Sequence, residues 1–286
     1  MVVILCSFRK LSTITRRERS YSKMRISTLL AATIVALFAS LAVVKGGETG
    51  TTTPRASSIA LIHSVNSNPN STWKAEVNKF SFMGEDKIRQ MLSTFVPPAT
   101  RYTDEQMATI RDKSPSPSNG HPTEYDLRKE FPQCIQPIRD QGRCGSCWAM
   151  AAAEAFGDNF CIASEGKINI VFSPQDMVSC DWYNNGCMGG QLRPAWRYMT
   201  SKGLVPESCI PYTSINGTTI KCPDTCVDGV TSVKSQKYKL KSYHKVSPLI
   251  EIWKREQLLE EALVSGHTME AGFTVYQDFM QYKSGV

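Results

Sequence analysis

Histidine is scarce in this sequence, with four in 286 residues: His63, His121, His244 and His267. None adjoins a pair of closely spaced cysteines, so a mixed Cys/His zinc site has no support, and no metal or other cofactor is expected. Long apolar runs are also lacking. The uncharged stretch Leu29–Val44 has sixteen residues, short of the ~20 that a membrane-spanning helix prefers. Charge of one sign is missing outside the N-terminus. The first 45 residues hold eight Lys/Arg against one Glu, while the other 241 hold 25 basic and 25 acidic side chains. The overall charge of +7 therefore belongs to the leader and does not predict a nucleic-acid-binding face.

The leader has its own logic. Met24-Arg25 is followed by the apolar run and by small residues near Ser40 and Ala42, the layout of a secretory signal peptide over 24–44. Residues 1–23 are then an N-terminal extension, with translation starting at Met1 or Met24. Two alternatives stand beside this: an uncleaved anchor, the one case in which a membrane is a partner, and a transit peptide in the Arg- and Ser-rich 1–23. Ten cysteines favour the oxidising secretory route, ending in a lysosome or vacuole or outside the cell. The sequons Asn70-Ser71-Thr72 and Asn216-Gly217-Thr218 agree with it.

The most informative stretch is Gln141-Gly142-Arg143-Cys144-Gly145-Ser146-Cys147-Trp148. After Cys147 come Trp148 to Phe156, rich in alanine and other good helix formers. Before it stand two glycines suited to a tight loop. Cys147 is thus expected at a helix N-terminus, where the free N–H groups and the dipole favour an anion and make a thiol more reactive. A redox pair Cys144-x-x-Cys147, half of a zinc site and an ordinary structural disulfide are the other readings.

These residues resemble the papain family, whose signature is C-G-[SA]-C-[WY]. The resemblance to cathepsin B runs on through Phe131-Pro132-Gln133-Cys134, Ile138 to Gly142, Phe172 to Gln175, Gly186 to Gly190, Cys209-Ile210-Pro211-Tyr212 and Tyr276 to Val286. It implies an α+β, papain-like two-lobe fold over 121–286, with a helical lobe carrying Cys147. A partial β-barrel lobe would begin around Cys209–Ser242. It implies a propeptide over 45–120, inhibitory in cis, with Trp73 as its anchor and a helix from Glu85 to Thr94 stopped by Pro97-Pro98. The Ser/Pro run 114–120 is a linker open to proteases. It further implies the pairs Cys134–Cys161, Cys144–Cys187, Cys180–Cys222 and Cys209–Cys226, one of 105 connectivities that eight cysteines allow. A helix is expected over Lys254–Val264 and a strand over Ala271–Tyr276.

By the same resemblance Cys147 is the nucleophile, Gln141 the oxyanion donor, and Gly189 and Gly190 the loop whose backbone meets a protein or peptide substrate. The family places its histidine ~130–150 residues after the cysteine, near 277–297. None of the four histidines lies there, so the partners of Cys147 are expected beyond Val286. His267, at Ser265-Gly266-His267, reads as a turn residue. The expectation is a truncated, monomeric cysteine endopeptidase precursor, inactive as given and poorly folded over 121–286 alone. Between Cys209 and Cys222 there is no histidine, so the occluding loop of cathepsin B is absent and dipeptide release from C-termini is not expected. The competing classes are a non-catalytic papain-like secreted protein and a pseudo-peptidase.

Overall fold

The structure, a computed structural model, describes residues 53–92, 124–246 and 254–285, isolated positions between them, and the backbone of two N-terminal strands. The elements in chain order are β1 (Val2–Phe8), β2 (Lys10–Leu11), α1 (Ala56–Ser67), β3 (Trp73–Ala75), α2 (Glu85–Met91), β4 (Tyr125–Asp126) and α3 (Leu127–Glu130). Then come α4 (Cys147–Ala163), α5 (Pro174–Cys180), α6 (Leu192–Ser201), α7 (Arg255–Val264), β5 (Met269–Val275) and β6 (Tyr282–Gly285).

Helix α4 is the centre of the molecule. Its alanines at 149, 151, 152, 153 and 155 are all buried, and their small side chains let neighbours approach from every side. An all-round apolar helix has to be covered on all sides. Phe156 meets Phe172 edge-on at 4.6 Å and Phe160 at 4.7 Å, and Tyr238 closes the cluster 5.4 Å from Phe172. Below this cluster Asp176 is fully buried. It accepts both oxygens' worth of contact from Lys237 Nζ, together with Tyr198 Oη and the Val205 amide. A buried carboxylate is tolerated only with such a full set of donors.

Among the described residues strands pair in twos: β1 with β5, β2 with β4, and β3 with β6, all antiparallel. The stretch 209–242 contains no extended strand. It is made of 3-10 turns at Ser214–Asn216 and Val233–Gln236 and of isolated bridges. The pairs Cys180–Cys222 and Cys209–Cys226 pin it, and Asp228 takes the amides of Val230 and Thr231 in a local turn that competes with a ladder. Strand β5 starts two residues before the expected Ala271, and its edge is covered by β1, from the segment expected to be an N-terminal extension. Helix α7 matches expectation to one residue.

The segment before residue 92 docks on the chain's last described stretch. Strand β3 pairs with β6, Trp73 packs 6.0 Å from the Tyr282 ring, and Lys283 pairs with Glu76. Asn78 Nδ2 donates to the Met280 carbonyl at 2.9 Å, and Ser81 Oγ donates to buried Gln281 Oε1 at 2.5 Å. Helix α2 ends at Met91, three residues short of the expected Thr94, because Thr94 leaves the helix to bridge Gly190.

Candidate active site

Cys147 is the first residue of α4, with Ser146 as its N-cap. It is buried and, alone among the cysteines whose side chains are described, outside a disulfide. The four bridges are Cys134–Cys161, Cys144–Cys187, Cys180–Cys222 and Cys209–Cys226, the pairing the resemblance implies. Cys144 is therefore spent on Cys187, which removes Cys144 and Cys147 as a redox pair. No cluster of ligating side chains suited to a metal occurs among the described residues.

The loop before Cys147 is held from three sides. Cys144–Cys187 ties it covalently to the Gly186–Gly190 loop, and the Gly145 amide donates to the Cys187 carbonyl at 2.9 Å. The Arg143 amide donates to the Ile215 carbonyl. Tyr212 supplies the third hold: its single hydroxyl proton goes to the Gln141 carbonyl at 2.8 Å, so Ser146 Oγ must donate to Tyr212 Oη, also at 2.8 Å. Burial raises the Tyr212 phenol above its ordinary value, which keeps that proton in place. Gly142 has φ +62°, and a Cβ there would meet Ile215 backbone atoms.

Gln141, six residues before Cys147, directs Nε2 to the Cys144 carbonyl at 2.7 Å and to the Met91 carbonyl at 2.8 Å. The same chain places Thr94 Oγ1 3.0 Å from Cys147 Sγ, and Thr94 bridges Gly190 in parallel. So Cys147, Gln141 and Gly190 converge, and Met91 and Thr94 touch all three between them. Gly189 has φ +112°, and a Cβ on Gly190 would fall 2.5 Å from the buried Trp148 ring. Gly189 shapes the loop, and Gly190 lets it lie flat on Trp148.

His267 stands elsewhere. Its Nδ1 is 3.4 Å from Asn159 Oδ1, next to the turn at Gly266 with φ +81°. Asn159 also donates to the carbonyls of Ala155 and Thr268, so this group fastens the entry of β5 to α4. His244 is exposed, and His63 lies on α1. Four site features were not foreseen from the sequence: Met91, Thr94, Tyr212 and Asn184. Asn184 clamps the Gln191 amide and carbonyl through its own side chain. A polar residue with no fixed spacing to Cys147 gives no signal until the loops are folded.

The sequence profile of the papain family cysteine proteases matches residues 121–286. The chain is similar to cathepsin B-like CP3 of Giardia intestinalis, 33% identical over 219 residues that cover 76% of this chain and 69% of the relative. It is similar to cathepsin B-like cysteine proteinase 4 of Caenorhabditis elegans, 35% identical with 79% of this chain and 72% of the relative covered. Among solved structures it resembles procathepsin B S9 from Trypanosoma congolense, with a TM-score of 0.62, 26% identity, and 81% of this chain and 76% of that one covered.

Proposed function

Because the chain belongs to the papain family of cysteine proteases, we propose that it is the precursor of a cathepsin B-like endopeptidase with Cys147 as nucleophile. In this reading Cys147, its thiol proton passed to an imidazole, adds through Sγ to a substrate carbonyl carbon, and the oxygen takes up the electron pair. Gln141 Nε2 and the Cys147 amide, at the N-terminus of α4, hold that oxyanion. Collapse breaks the C–N bond, an imidazole delivers a proton to the departing amine, and water hydrolyses the thioester. We assign the imidazole to none of His63, His244 and His267. The chemistry needs no cofactor, and the substrate is a protein or peptide.

The observation that carries this reading is the Met91 carbonyl on Gln141 Nε2 with Thr94 on the Cys147 thiol. A peptide already lies where a substrate would, and its carbonyl uses the donor meant for the oxyanion. We therefore read 45–120 as a propeptide inhibitory in cis, with 24–44 its signal peptide, 1–23 an N-terminal extension and 121–286 the peptidase region. The route is secretory, to a lysosome, a vacuole or the exterior. The absence of a histidine-bearing insertion between Cys209 and Cys222 supports cleavage within chains over removal of terminal dipeptides.

An epoxide inhibitor of thiol proteases is the direct test. It is expected to label the secreted full chain at Cys147 once the linker at 114–120 is cut, slowly before, and not at all in Cys147→Ala. Equal labelling with and without the cut refutes inhibition in cis, and no labelling at Cys147 refutes the nucleophile. Release of C-terminal dipeptides by an active preparation sinks the endopeptidase assignment.

A further inference from the structure

Next to Gly190 the structure opens a cavity of about 590 Å³ lined by Tyr183, Gln191, Arg193, Pro194, Arg197 and Tyr243. We propose that this cavity is a specificity site in which Arg193 and Arg197 select an acidic side chain of the bound peptide. The proposal rests on the reading that peptides lie in the cleft along Gly190.

The position follows from the backbone. A chain in the cleft touches Cys147 and bridges Gly190 at one residue, as Thr94 does. Gln191 is the next residue after Gly190 and already a wall of the cavity. Its place is fixed, because Asn184 binds both its amide, at 2.7 Å, and its carbonyl. Side chains one or two residues from the bridge therefore reach the cavity mouth.

The chemistry follows from charge. Arg193 and Arg197 lie four apart on α6 and so share one face. Neither has a carboxylate partner among the described residues. The Arg197 guanidinium stacks over the Tyr183 ring at 5.2 Å, which holds its planar fork in one orientation. Tyr243 packs against Trp196 at 6.2 Å and forms another wall. Gln191, Arg193 and Pro194 are the cap and first turn of a ten-residue helix, the end whose N–H groups favour negative charge.

The two neighbouring carboxyls do not cancel this field. Asp181 accepts from the Tyr183 amide and from Asn184 Nδ2, and Glu270 accepts from Trp196 Nε1 at 2.5 Å. Burial raises both above their ordinary values, Glu270 to about 8. Neither carboxyl is a wall of the cavity, whose lining holds the two guanidiniums and no carboxylate.

The test uses the full chain and peptide chloromethyl ketones in matched pairs, Glu or Gln at the first, second or third residue from the reactive carbon. The readout is the rate at which Cys147 is alkylated. The N-terminal segment in the cleft slows both members of a pair alike, so the Glu:Gln ratio isolates the cavity. At low salt one position should give a ratio of about ten, the size expected of a charge-assisted contact, falling towards one in high salt. Arg193→Ala with Arg197→Ala should bring the ratio to about one while iodoacetamide labels Cys147 at the parental rate. A ratio near one at every position in the parent overturns the proposal, and so does a ratio that survives the double substitution. Labelling by iodoacetamide but by no peptide overturns the cleft reading, and the proposal with it.

Discussion

Gly190→Ala should damage the protein through Trp148 rather than through backbone strain. An ideal Cβ at 190 lies 2.5, 2.7 and 2.8 Å from Trp148 Cδ2, Cε2 and Cγ, whereas carbon atoms pack at about 3.5–4.0 Å. Either the ring or the loop must give by about 1 Å. The ring is fully buried under Cys144, Ala195 and the rest of the main core, and its Nε1 donates to the Gly186 carbonyl at 3.2 Å. Overpacking of this kind costs about 1–3 kcal/mol, and losing the indole hydrogen bond adds about 1. The expected loss is thus about 2–4 kcal/mol. Urea unfolding of the disulfide-intact chain, followed by tryptophan fluorescence, should show a lower midpoint at unchanged slope. Gly84→Ala is the control, since a Cβ there meets nothing within 4 Å. It should stay within about 0.5 kcal/mol of the parent. If Gly190→Ala also stays within about 0.5 kcal/mol, the close approach of loop and indole is not what requires glycine.

Lys237→Met leaves Asp176 buried without its counter-ion and should cost about 3–5 kcal/mol by the same assay; a second change, Asp176→Asn, should recover part of that loss. Removing the bridge between Cys144 and Cys187, which are 43 positions apart in sequence, as the double serine variant, should cost about 4 kcal/mol in the loop-entropy picture, and an unchanged midpoint would contradict it. The Lys79 ammonium at 2.6 Å, and then the Gly142 amide, hold the Asp140 carboxyl below its ordinary value. A lowered carboxylate stabilises docking above its undocked pKa, and this is lost as pH falls through the docked one. Acid below about pH 4 should therefore loosen the N-terminal segment, read as faster proteolysis at 114–120. In Asp140→Asn the acid-dependent part of that rate should shrink, and an identical pH profile would rule the pair out.

The sequence made the placement of Cys147 legible because helix propensity changes abruptly at one residue, from glycines to alanines around it. Gln141 and the two glycines needed the family resemblance, since a lone glutamine carries no local signal. The second half was less legible. The stretch 209–242, where the resemblance places the start of a β-barrel lobe, is shaped by two disulfides and an Asx turn at Asp228, which competes with ladders over short spans. Helix α2 stopped before Thr94 because pairing with Gly190 outweighed the local preference for helix, an interaction some 96 residues distant that no window of sequence contains. Tyr212 was visible as a motif residue, but its task of joining Ser146 to Gln141 exists only when the two loops meet.

The docking of β3 on β6 has a consequence for synthesis. Asn78 and Met280 are separated by 202 residues, so the ribosome makes one side of this contact long before the other. At about 5–20 residues per second, that delay is about 10–40 s. Throughout it the N-terminal segment is finished while the surface that fastens it has not been made. Factors that bind nascent chains meet Trp73 during that interval as an unburied aromatic, and the order of translation makes this seal a late one.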